Sequence, residues 1–113
     1  MNTLTIDVRS LRETLADVAR AMEMLEPSEP RISFDSPDLL WKVLTAKRWE
    51  ILKAVTGAGP LALREIARRV GRDVKSAHLD VHALMDAGII ERRETGFIFP
   101  YDAVHVDFLL KAG

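Results

Sequence analysis

The run Leu63-Arg64-Glu65-Ile66-Ala67-Arg68-Arg69-Val70-Gly71-Arg72-Asp73 constrains this chain more than any other. Leu63, Ile66, Ala67 and Val70 recur at helical spacing, which predicts a short helix with one apolar face. Gly71 follows where a tight turn needs a residue tolerant of positive φ, and Asp73 stands ready to cap a second helix. On that second helix Ala77, Val81, Leu84 and Met85 fall on one side, with Val74 near its start and Gly88 at its exit. Downstream, Ile89 to Arg93 and Phe97 to Phe99 read as strands around Glu94-Thr95-Gly96, and Pro100 ends the second. Helix, tight turn, helix and basic hairpin are the parts of a winged helix-turn-helix.

The chain before this unit supplies its base. Ser36-Pro37 reads as N-cap and N1 of a helix through about Leu44, and the apolar run Leu39 to Thr45 is expected in the core. Thr45 caps a further helix in which Trp49, Leu52 and Val55 share a face, stopped by Gly57-Ala58-Gly59-Pro60. Nearer the N-terminus, Leu4, Ile6 and Val8 alternate with polar residues, predicting a strand over 3–8. Ser10-Leu11-Arg12-Glu13 has the form of a capping box. The helix it opens carries Leu11, Leu15, Val18, Met22 and Leu25 at alternating spacings of four and three, and should stop before Pro27. Ile32 and Phe34 predict a second short strand, and Val104, Val106 and Phe108 a strand near 103–109, with a C-terminal helix as its alternative. That strand can pair with residues 3–8 of the same or another subunit.

The expected fold is α+β and mainly helical: a winged helix-turn-helix over 36–100, an N-terminal strand-helix-strand extension over 1–35 serving dimerisation or partner binding, and a C-terminal strand and tail over 101–113. At 113 residues, 48% apolar and 29% charged, the chain suits one folded domain rather than two or a disordered tail. Its apolar runs are too short for a membrane helix, no secretory leader is evident, and there is no cysteine, so a cytoplasmic protein is expected.

A net charge of −1 conceals a division along the chain. Residues 1–41 carry four arginines against eight carboxylates, a net of −4, whereas 42–94 carry eleven cations against seven carboxylates, a net of +4. A basic middle and an acidic start imply two surfaces with different partners.

The segment Leu63 to Arg72, followed by Leu84 and by Ala87-Gly88-Ile89-Ile90-Glu91-Arg92, resembles the winged helix-turn-helix of MarR-type and ArsR-type bacterial regulators over roughly 45–94. More narrowly, Leu44-Thr45 before Arg48-Trp49, Gly71-Arg72-Asp73-Val74-Lys75 and Phe99-Pro100-Tyr101-Asp102 resemble a family of short prokaryotic regulators. Members of that family are DNA-binding proteins by expectation, some encoded beside small toxins and acting as antitoxins. The resemblance implies a homodimeric, sequence-specific DNA-binding repressor of its own promoter, with double-stranded DNA and a cognate protein toxin as partners.

In such a protein the second helix offers side chains to base edges in the major groove. The matching residues here are Lys75, Ser76, His78, Leu79 and His82, with Arg72 reaching phosphate from the turn. Arg92 and Arg93 lie where a wing meets the backbone or minor groove, and Lys47, Arg64 and Arg68 add phosphate contacts. Asp80 would oppose phosphate if it faced DNA and would otherwise orient Lys75 or Arg72. Leu79 stands where many such regulators place arginine, so the operator is not readable. The seam Leu11, Leu15, Val18, Met22 and Leu25, together with Val104, Val106 and Phe108, is the expected dimer or partner interface.

Other chemistry finds little footing. His78 and His82 stand four apart, but the glutamate of a zinc-protease motif is missing and there is no cysteine, so a DNA-facing or structural role is expected over a metal site. His105 reads as a surface histidine on a strand. No nucleophile with a matched base, no paired carboxylates at a glycine-rich turn and no phosphate loop occur, so neither enzymatic activity nor a cofactor is expected. The competing reading is a winged-helix module that binds protein alone.

Overall fold

Side-chain caps set where most of the helices begin. The computed structural model describes residues 2–24 and 30–109. In chain order it contains β1 (Thr3–Val8), α1 (Leu11–Met24), β2 (Arg31–Phe34), α2 (Pro37–Val43), α3 (Ala46–Val55), α4 (Leu63–Val70), α5 (Val74–Asp86), β3 (Glu91–Arg93), β4 (Gly96–Ile98) and β5 (Ala103–Asp107), an α+β fold. Ser10, Ser36, Thr45 and Asp73 each accept from the amide three residues on, at 3.2, 3.3, 3.3 and 2.7 Å. These bonds satisfy donors that a helix start otherwise leaves unpaired. At α1 only half of the expected box forms: the Glu13 amide donates to the Ser10 hydroxyl, and the Thr14 hydroxyl adds a bond to the Ser10 carbonyl.

β1 is the middle strand of a parallel sheet ordered β2-β1-β5, with Ile6 opposite both Ile32 and Val106. The expected C-terminal strand therefore exists, and it pairs with residues 3–8 of its own chain. Both edges of β1 are thus occupied within one subunit, and among the described residues the outer edges of β2 and β5 have no partner strand. Alternation along β1 buries Leu4 and Ile6 on the face toward α2 and places Thr5 and Asp7 on the other. Asp7 is buried there and receives Arg31 and the Ser33 hydroxyl, the latter at 2.5 Å.

A continuous apolar core joins this sheet to the helices. Leu4 and Ile6 belong to it with Leu40, Leu44, Ile51, Leu52, Ile66, Val81, Leu84 and Phe99. Ile89 and Ile90, expected to begin a strand, instead plug the core between α5 and β3. The expectation that Leu39 to Thr45 lies in the core is corrected: Leu40 and Leu44, one turn apart, are buried, while Leu39 and Trp41 are 44% and 50% exposed. α2 presents one face to the sheet, and those two side chains fall outside it.

The hairpin β3-β4 closes against the start of α4. Phe97 exchanges backbone hydrogen bonds with Leu61 at 2.8 and 2.9 Å, which adds a single-residue third strand. Gly96, with φ of 144°, permits this approach, since a Cβ there would sit 2.4 Å from the Leu61 carbonyl oxygen.

α1 follows a different course. Leu11, Leu15, Val18 and Met22 all face solvent, from 46% exposed at Val18 to 72% at Met22. An ion pair of Arg9, just after β1, with Asp17 anchors the helix midway along its length, and the Arg31 charge also acts on Asp17. Leu25, the last residue of the seam, and Pro27, its expected stop, lie outside the described residues. No helix among the described residues is long and apolar enough to cross a membrane.

Candidate nucleic-acid interface

The turn between α4 and α5 has the geometry its sequence requires. Gly71 takes φ of 68°, the Arg72 amide donates to the Ala67 carbonyl at 3.0 Å and the Gly71 amide to the Arg68 carbonyl at 3.2 Å. This pair of bonds is a Schellman motif, which ends α4 abruptly and leaves three residues, Gly71 to Asp73, to swing the chain into α5. α5 then buries Ala77, Val81 and Leu84 completely. Its opposite face presents Lys75, His78 and Leu79 to solvent, Leu79 at 66% exposed.

His82 and the hairpin extend that face. The His82 ring lies 4.1 Å from that of His78 and meets Phe97 edge-on at 6.0 Å. Arg92 stands over the same Phe97 ring at 5.9 Å. Phe97 thus joins the outer face of α5 to the hairpin, bringing His78, His82 and Arg92 onto one surface.

Other expected contacts are placed differently. Arg72, expected to reach phosphate from the turn, folds its guanidinium back along α5, donating to the Ser76 hydroxyl at 2.5 Å, the Ser76 carbonyl at 3.0 Å and Asp80 Oδ2 at 2.6 Å. Asp80 also accepts from Arg48 Nε at 2.9 Å, and Arg48 donates to the carbonyls of Lys42 and Val43 at 3.1 and 2.9 Å. Asp80 is therefore the centre of an Arg48–Asp80–Arg72 triad clamping α5 to α3 and to the end of α2. Burial works to raise the Asp80 carboxyl, but hydrogen bonds and charge from Arg48 and Arg72 hold it below the ordinary carboxylate value. One nitrogen of Arg72, Nη1, is buried without a partner among the described residues. The Arg72 half of the triad was one of the readings open for Asp80, whereas the sequence offered no signal for Arg48, which lies thirty-two positions from Asp80.

The remaining cations divide into paired and free. Glu65 binds both Arg68 and Arg69, whose hydrogen bonds lower its carboxyl to about 2. Arg93 pairs with Glu91 at 2.5 Å. Lys47, Arg64, Lys75 and Arg92 are exposed and make no ion pair among the described residues. No cluster of three potential metal ligands occurs among the described residues, which includes the surroundings of His78 and His82.

The expected interface residues do not form one surface. Val106 and Phe108 line an open groove of about 780 Å³ with Trp41, Leu44, Ala46 and Trp49, and Phe108 meets Trp41 edge-on at 5.4 Å. Val104 packs against the core, and the α1 seam stands apart from the groove. Sequence reasoning missed the groove, since Trp41, Trp49 and Phe108 meet only through packing of β5 beside α2 and α3.

A protein-family model described as HVO_A0114 matches residues 43–106, more than half of the chain. The chain belongs to the HVO_A0114 family. The HVO_A0114 match runs from the end of α2 through β5, and so takes in Arg48, the turn at Gly71, the exposed face of α5, Asp80 and the hairpin. It leaves β1, α1 and β2 outside. No curated protein and no solved structure matches the chain.

Proposed function

We propose that this protein is a sequence-specific DNA-binding regulator of the winged helix-turn-helix type, a homodimeric repressor of its own promoter and the antitoxin of a toxin–antitoxin pair. The observation that carries the reading is the exposed Lys75, His78 and Leu79 face of α5, backed by a core-buried inner face and flanked by Arg92 on the hairpin. Lys75 donates to guanine acceptors or phosphate, Leu79 meets a thymine methyl, and His78 offers a donor to a base edge. Arg64 and Lys47 supply phosphate contacts, and Arg92 meets the backbone beside the groove. Arg72 and Asp80 act as positioning residues that hold α5 at a fixed angle. Two such helices about 34 Å apart occupy successive major grooves and block a promoter. The antitoxin assignment rests on the family resemblance of the sequence.

Binding to the protein's own upstream duplex, against a scrambled duplex, tests the reading at 50 and 200 mM salt. A dimer with roughly eight phosphate contacts loses about 10³- to 10⁵-fold in affinity over that range. Absence of binding to either duplex at the lower salt rejects it. The internal pairing of Arg68, Arg69, Arg72 and Arg93 favours a second reading, a module that binds protein alone, and that result would select it.

A further inference from the structure

We infer that α1 of one copy docks by its seam into the Trp41, Trp49 and Phe108 groove of a second copy, and that the second copy returns the same contact. The inference rests on the homodimer reading above and names the surface that would make it. One chain carries two unpartnered apolar surfaces, a convex one on Leu11, Leu15, Val18 and Met22 and a concave one between α2, α3 and β5. Trp41 is 50% and Phe108 37% exposed on the groove wall. A rod-like apolar face and an aromatic trough fit each other better than either fits itself.

Pairing of two seams with each other is the simpler alternative, and two features disfavour it. The seam spans only about two heptads, short of the three or four a stable coiled coil needs. Within α1 its flanking e and g positions hold Arg12, Thr14, Ala19 and Ala21, with no carboxylate to complement the one arginine, where opposite charges set coiled-coil partners. Small flanks widen the apolar face and let the helix sink between two walls.

Buried area separates the two arrangements further. Half the surface of a helix about 21 Å long and about 10 Å across is roughly 330 Å². Counting the facing wall, one docked helix buries on the order of 650 Å², below the roughly 1,200 Å² lower limit of stable interfaces. Reciprocal exchange makes two such contacts, about 1,300 Å², and closes under two-fold symmetry without leaving a surface for a third copy. Docking within one chain is not the arrangement adopted, because α1 leaves its seam in solvent.

The absence of cysteine makes the test direct. Leu15→Cys and Ala46→Cys are prepared separately, mixed, exchanged through dilution and joined with a short bismaleimide, alongside light-scattering masses at several concentrations. The expected result is a linked dimer in the mixture and in neither variant alone, with a dimeric mass throughout. Leu15→Glu should weaken dimerisation at least 100-fold and shift Trp41 and Trp49 emission to the red, while far-UV circular dichroism is retained. A dimer that links through Leu15→Cys alone overturns the exchange and leaves the homodimer standing, as does a dimer whose mass Leu15→Glu does not change. A monomeric mass at every concentration overturns both, while DNA binding is read independently on the duplexes above.

Discussion

α5 and α1 are both exposed helices, and they are held in opposite ways. α5 turns Ala77, Val81 and Leu84 into the core and is clamped by Asp80 to Arg48, leaving a polar, basic face outward. α1 turns Leu11, Leu15, Val18 and Met22 outward, and its described inward tie is the Arg9–Asp17 pair. The first is a fixed platform whose exposed side chains are free to act; the second is an apolar surface whose burial needs another chain. The contrast teaches that exposure alone does not mark function, since what lies beneath an exposed face decides whether it presents or recruits.

Removing the clamp should break the contrast most severely. Asp80→Ala strands two guanidinium groups, Arg48 and Arg72, in surroundings where they are only 21% and 17% exposed. Breaking such a pair is expected to cost about 3 kcal/mol, read as a lower urea midpoint with an unchanged slope. Because the folded-state carboxyl lies below its unfolded value, the contribution is complete above the unfolded pKa and is lost as pH falls through the folded one. Asp80→Asn should therefore flatten that part of the acid limb of stability. If either variant unfolds at the native midpoint, α5 is positioned by its core face alone.

On the platform itself, Lys75→Ala separates presentation from support. Lys75 is exposed and unpaired among the described residues, so its loss should reduce DNA affinity about 10-fold and leave the urea midpoint within about 0.5 kcal/mol of native. Arg72→Ala should show the reverse order, a stability loss first and weaker DNA binding as its consequence. Equal behaviour of the two variants would erase the distinction between a contacting and a positioning residue. A smaller effect is expected at the helix start: Asp73→Ala removes the cap on Ser76 and should cost about 1 kcal/mol in thermal or urea unfolding.

Much of this framework was legible because its causes are local. Ser36-Pro37, Thr45 and Asp73 announce helix starts within four residues, and Gly71 announces a turn by its own backbone freedom. The alternation of Leu4, Ile6 and Val8 marked a strand for the same reason. What escaped depends on residues distant in sequence. Asp80 could be read as orienting Lys75 or Arg72, and Arg72 is the one it binds, yet its second partner, Arg48, comes from α3 and had no signal in the sequence. Trp41 read as core because a local count of apolar residues cannot tell which face of α2 meets β1 and which meets solvent. The α1 seam was legible as a surface needing a partner, but its complement is assembled from three elements, α2, α3 and β5, and so has no local signature.

The finest test lies at the border between platform and solvent. Glu65 holds Arg68 and Arg69 at the exposed edge of α4, and its carboxyl, lowered to about 2 by their hydrogen bonds, stays ionised across any pH suited to DNA binding. Both guanidinium groups are therefore partly neutralised where they would meet phosphate, and the platform's charge is smaller than its composition suggests. Glu65→Gln releases them without altering helix length or core. The slope of log affinity against log salt should steepen by about one to two for each protomer, with affinity rising at low salt. An unchanged slope would mean that the arginine-rich edge of α4 faces away from the duplex, confining the contact to α5, Arg64 and the hairpin. The sign of the change reports on geometry that stability measurements cannot reach, because an exposed ion pair contributes little to folding and yet competes directly with phosphate.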